Sequence, residues 1–227
     1  MLPFLFCLIF LKKILQNKKG IFFIYTLITA ILICFAVYFV YGLKEKSYYY
    51  IVTRTHLLIE FLLISYIFVE EFRVRKPIFK KLYFLLGFTF LIFSIVDYLI
   101  SKPSHSFTLY VTEYIVFIFS SIYLFSDKLK NEEAEFEEPF FSSFIFWLAV
   151  AFLITASGNL FLFIYTKTIT VQDSDFKANY TIMYTTVTIT KDILLCFAIS
   201  RLPIKNRYLG NNIADITEPP FPLNNLN

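Results

Sequence analysis

Six stretches of about twenty mostly apolar residues, 21–43, 50–69, 80–100, 106–126, 139–166 and 178–201, constrain this chain more than any other feature. As a helix rising about 1.5 Å per residue, each is long enough to cross the roughly 30 Å hydrocarbon core of a bilayer. Lipid offers the backbone no hydrogen-bond partners, so only α-helices and closed β-barrels span it. The strand-like alternation between regular turns that marks a barrel is absent. The stretches are therefore read as helices, despite their many aromatic and β-branched residues. Composition agrees: 58% of the 227 residues are hydrophobic and 17% charged, where a soluble domain carries about 25% charged. The lipid bilayer is the partner such a surface requires.

The first residues, "MLPFLFCLIFLKKILQN", are harder to place. The apolar part ahead of Lys12 reaches only about 16 Å as a helix. It spans only if the helix runs on to about Asn17, with Lys12 and Lys13 extending their ammonium groups to the interface. Its positive residues follow the apolar part, whereas those of a secretory signal precede it, so cleavage is not expected. The expectation is an all-α polytopic transmembrane bundle of seven helices over 1–209. The alternative is six helices plus an interfacial N-terminal helix. From residue 210 onward, "GNNIADITEPPFPLNNLN" has turn formers, Pro and few apolar residues, and reads as a disordered tail over 210–227.

Orientation follows from Lys and Arg. Four alternate segments hold fourteen of them: Lys12, Lys13, Lys18 and Lys19; Arg73, Arg75, Lys76, Lys80 and Lys81; Lys128 and Lys130; Arg201, Lys205 and Arg207. The opposite side holds six: Lys44, Lys46, Arg54, Lys102, Lys167 and Lys177. The positive-inside rule places the first set and the C-terminus in the cytoplasm, and with seven spans the N-terminus outside. The acidic run "NEEAEFEE" at 131–138 does not disturb this, because Asp and Glu contribute little to orientation.

Several chemistries have no footing. Cys7, Cys34 and Cys196 are far apart in apolar runs, with no CxxC or Cys/His metal spacing. Two histidines, His56 and His105, cannot supply a three-His zinc site. There is no GxSxG elbow and no phosphate-cradling Gly loop. No metal, cofactor or catalytic residue is assigned, and an enzyme is the less favoured class. Basic residues lie in short loops and not along one recognition face, which disfavours nucleic acid.

What remains is a set of polar residues inside the apolar runs. "VTRTHLLIEFLLISYIF" at 52–68 carries Arg54, His56 and Glu60, the last two sharing a helix face. Glu113, Ser157, Asn159, Thr188, Thr190, Lys191 and Asp192 stand in later spans, and Asp97 and Tyr98 close the outer end of 80–100. Arg54 and Asp97 read as headgroup-level anchors. A charge at the bilayer centre costs about 2.5–3.5 kcal/mol, so Glu60, Glu113 and Lys191 should face inward and pair. The expected site is a polar cavity opening outward and binding a ligand through His56, Glu60, Glu113, Asn159 and Lys191. It could equally be structural glue.

A lysine in the last span makes the chain similar to retinal proteins, but Val187 stands where the microbial ones place an Asp one turn earlier. "HLLIEF" at 56–61, "TEYIVFIFSSIYLF" at 112–125, "PFFSSFIFWLAVAFLITASGNLFLFI" at 139–164 and "ITKDILLCFAIS" at 189–200 resemble a bacterial family of small heptahelical inner-membrane proteins associated with two-component signalling. The resemblance implies a receptor or accessory component with a membrane or cytoplasmic signalling partner. Asp192 departs from the Asn of that pattern. A transporter or channel subunit and an intramembrane lipid-acting enzyme are the alternatives.

Overall fold

The computed structural model describes residues 1–17, 19–43, 46–73, 77–101, 107–130, 140–168 and 174–202. The expected tail at 210–227, the acidic run at 131–138 and His105 lie outside the described residues. Within them the chain is helical: α1 (Leu2–Ile9), α2 (Leu11–Gln16), α3 (Gly20–Val37), α4 (Lys46–Arg73), α5 (Pro77–Ser101), α6 (Phe107–Lys130), α7 (Phe144–Thr168) and α8 (Ser174–Ser200). A π-helical turn, Tyr38–Leu43, ends α3, and a short 3₁₀ turn, Phe140–Ser142, precedes α7. Proline opens α1 and α5, where the missing N–H has no helical acceptor to lose.

Six of these helices, α3 to α8, are long and apolar enough to cross a membrane. A seventh helix of that length over 1–17 is not among them. The backbone breaks at Phe10, at φ −99° and ψ 16°, and leaves two short helices. Lys13 Nζ donates to the Ser200 carbonyl oxygen at 3.2 Å, and the Met1 nitrogen lies 3.5 Å from Asp192 Oδ2. The stretch from Asp192 to Ser200 rises only about 12 Å. The N-terminal pair of helices therefore lies along the basic-end half of α8.

Helix neighbours follow a ring: α1 against α3 and α8, α3 on α4, α4 on α6, α6 on α7, α7 on α8. α5 packs on α4 outside the ring, and only 11% of its span is buried, so most of it is left uncovered by the other helices. α7 is half buried and central. Lys19 Nζ pairs with Glu71 at 2.8 Å, and Lys128 lies 3.6 Å from the same carboxyl group. The start of α3 and the ends of α4 and α6 thus share one end of the bundle, as the charge pattern requires.

Part of the phenylalanine excess is used in the core. Phe90 stacks on Phe61 with centroids 3.9 Å apart; Phe117 and Phe152 meet edge to face at 5.2 Å, and Phe22 and Phe144 at 5.3 Å. Aromatic contacts of this kind supply packing between helices in lipid, where water no longer drives association. At the α7–α8 crossing, a Cβ on Gly158 would sit 2.8 Å from Val187 Cγ2, so only glycine permits that approach.

Candidate functional site

Four apolar turns of α4 carry His56 and Glu60 on the face turned toward α3 and α8. Lys191, nine residues from the end of α8, forms an ion pair and hydrogen bond with Glu60 Oε1. Tyr25 of α3 donates its hydroxyl to the same oxygen at 2.8 Å. His56 Nδ1 lies 3.7 Å from Glu60 Oε2, beyond hydrogen-bond range but within that of an ion pair. The Lys191 ammonium also sits 5.0 Å from the centre of the Phe152 ring, a cation–π contact in a desolvated setting. Three helices that approach from different directions are thus tied at one carboxylate.

Depth places this knot. Counted from the basic end, Lys191 stands about 13 Å above Ser200 and Glu60 about 16 Å above Glu71. The pair is near the middle of a roughly 30 Å core, deeper than an outer-half cavity. Tyr25 reaches it from below, starting only about 7 Å above Gly20 at the same basic end.

Glu113 of α6 is 2% exposed and close enough to feel the charges of both Glu60 and Lys191. Its Oε1 has no hydrogen-bond partner within the protein. The buried Nε2 of His56 and the buried Oδ1 of Asn159 are in the same condition. Lys191 therefore holds Glu60 and acts on Glu113 only through its field, while three buried polar atoms on α4, α6 and α7 have no hydrogen-bond partner within the protein. Buried polar atoms are nearly always satisfied, so each of these atoms suits a water, a proton or a small polar group.

Of the five expected site residues, the structure joins Glu60 and Lys191 directly, adds His56 beside them and sets Glu113 within their field. Asn159 is buried on α7, and its carbonyl oxygen bonds to none of them. Neither of the two cavities described next to the bundle is lined by any of the five. One, of about 190 Å³, lies between α4, α5 and α6 around Phe61 and Phe90; the other, of about 600 Å³, lies against α3.

Arg54 and Asp97 are not separate headgroup anchors. Arg54 is 7% exposed and its Nη2 meets Asp97 Oδ2 at 3.1 Å, with the guanidinium 5.8 Å from the Tyr98 ring. Arg54 and Phe61 are seven residues apart and share the α4 face toward α5, whereas His56 and Glu60 share another. This ion pair is therefore distinct from the Lys191 knot. Asp192 points away from Lys191, as about 100° per residue demands. Ser157, Thr188 and Thr190 donate to carbonyl oxygens one turn back, at 2.7–2.9 Å, and so are spent on their own helices.

Tyr25 is the site residue that sequence reasoning missed. It is one of sixteen tyrosines in the chain, and nothing local separates it from the others. Among the described residues, no group of three or more His, Cys, Asp or Glu is arranged to hold a metal ion. Comparison with known protein families, with characterised proteins and with solved structures finds no match.

Proposed function

We propose that this chain is a sensory or accessory membrane protein of signalling in the bacterial inner membrane. Its trigger is a proton or small cationic ligand received by Glu113. The observation that carries the reading is the single Lys191 ammonium facing two buried carboxylates, of which only Glu60 holds it. An uncompensated charge at this depth costs about 2.5–3.5 kcal/mol. Lys191 offsets Glu60; Glu113 is offset only by a proton or a bound cation. Loss of that partner turns Lys191 into a contested ligand between α4 and α6, and α8 carries the displacement to the basic end.

Six crossings fit the positive-inside distribution with the segments before α3 and after α8 both cytoplasmic. The seven-span form with an outward N-terminus is the variant that the resemblance to heptahelical proteins implies. A conduction path is less well supported, since Phe22, Ile64, Phe68, Phe144 and Leu148 are all buried at the basic end below the knot. Water-activating chemistry at His56 is less well supported too, because Glu60 is already engaged by Lys191 and Tyr25.

Infrared difference spectroscopy of the full chain in lipid nanodiscs during a pH jump tests this. A carboxyl C=O band that appears in the wild type and vanishes in Glu113→Gln is expected, together with a change in label distance between the basic-end loops. A band unaffected by Glu113→Gln, or a band without movement, would sink the proposal.

A further inference from the structure

Cys7 and Cys196, far apart in the sequence, come together where α1 packs on α8. Two contacts fix the register of these helices, which run in the same direction. The Met1 nitrogen lies 3.5 Å from Asp192 Oδ2, and Lys13 Nζ donates to the Ser200 carbonyl oxygen at 3.2 Å. Cys7 stands midway between Met1 and Lys13, and Cys196 midway between Asp192 and Ser200. The longer rise from Met1 to Lys13 is taken up by the bend at Phe10 and the length of the lysine side chain. Cys196 shares a helix face with Asp192, one turn before it, and so looks toward α1. The charges of the Met1 ammonium, Asp192 and a Cys7 thiolate all reach it. Both sulfurs are free thiols in the interior, Cys7 at 0% exposure and Cys196 at 7%.

Helix axes in contact lie about 8–10 Å apart, and each Cα sits about 2.3 Å from its axis. Facing Cα atoms are then about 3.4–5.4 Å apart, which overlaps the roughly 4.4–6.8 Å that a disulfide bridges. Thr26 of α3 orients one of the sulfurs. Its hydroxyl donates to the Phe23 carbonyl oxygen at 2.9 Å, which leaves the hydroxyl oxygen to accept the Cys7 thiol proton. Depth selects the oxidant. Cys196 stands about 6 Å above Ser200, within a span and away from the thiol–disulfide pool of the water phase. A two-electron acceptor that dissolves in hydrocarbon reaches it. We propose that Cys7 and Cys196 form a redox-active pair that a lipid-soluble quinone oxidises to a disulfide. Two S–H bonds break and one S–S bond forms, while two electrons and two protons pass to the quinone, which leaves as the quinol. The bond ties α1 to the part of α8 between Lys191 and the basic end. The pair does not depend on the sensory reading.

The test uses the full chain in lipid nanodiscs, treated with a fully ring-substituted benzoquinone that carries a decyl chain. A maleimide added afterwards in denaturant counts the remaining thiols by mass. Two of the three thiols should be lost per chain with one quinol formed, and the peptides of Cys7 and Cys196 should be recovered joined. Cys34, exposed on α3, should stay free, and Cys34→Ala should leave the yield unchanged. Glutathione disulfide at the same concentration should react at least tenfold more slowly, and a membrane-permeant phosphine should restore both thiols. Both thiols still free after the quinone, a link through Cys34, or a rate matched by glutathione disulfide overturns the proposal. A quinone left attached to either sulfur overturns it also.

Discussion

Lys191 shows how one residue in lipid is decided by its partner. Its ammonium is stable at mid-depth because Glu60, with Tyr25 donating to the same oxygen, returns most of what desolvation costs. Removing one member of such a pair strands the other, at about 3–5 kcal/mol, whereas removing all charges together is far milder. Lys191→Met should therefore lower the thermal midpoint in detergent more than the triple change Glu60→Gln, Glu113→Gln, Lys191→Met. A triple variant less stable than the single one would refute the pairing. Tyr25→Phe keeps the ring and deletes one hydrogen bond to a charged acceptor. A loss of about 1.5–3 kcal/mol in chemical unfolding is expected, and a loss near zero would remove Tyr25 from the site. The need for Lys191 to find a carboxylate was legible in the sequence, because no lone charge survives there. The choice of Glu60 over Glu113 was not, since it depends on which faces of α4, α6 and α8 meet.

Among the elements, the α7–α8 crossing is set by Gly158 against Val187. Gly158→Ala introduces a Cβ 2.8 Å from Val187 Cγ2 and should cost about 1–3 kcal/mol through overpacking. Val187→Ala in the same chain should recover most of it, because the offending methyls are gone. Additive losses in the double variant, measured by thermal unfolding, would show that the crossing is not limited at this contact. The N-terminal segment teaches a different lesson. Its apolar content was legible and its length marginal, so hydropathy left open whether it crosses. The structure forms two short helices beside α8, with a bend at Phe10 and Lys13 on the Ser200 carbonyl. Lysine at a helix C-terminus satisfies an orphan carbonyl oxygen and complements the dipole, which a local reading of 1–17 cannot anticipate from residues 180 positions away.

At the scale of the molecule, the contacts of Glu71 with Lys19 and Lys128 gather three basic segments at one end. Six crossings with that end in the cytoplasm predict where reporters go. Fusions ahead of Met1 and after Asn227 should both be cytoplasmic, and one at Ser104 external. A reporter ahead of Met1 on the external side would restore the seventh crossing, and reporters on one side at Ser104 and Asn227 would end the topology altogether.

By itself the sequence determined the six long apolar helices, which basic segments share an end and the need for a buried polar pair. Each of these is local: twenty residues sum to a span, a loop carries its own charge, and an isolated ion in hydrocarbon costs the same wherever its partner is. Only the tertiary structure decided that Arg54 belongs to Asp97 and not to the Lys191 group, that Tyr25 completes that group, and that α1 packs against both α3 and α8. These depend on which helix faces are neighbours, and in lipid that is set by the fit of side chains across the helix contacts, not by hydropathy, which is nearly the same on every face.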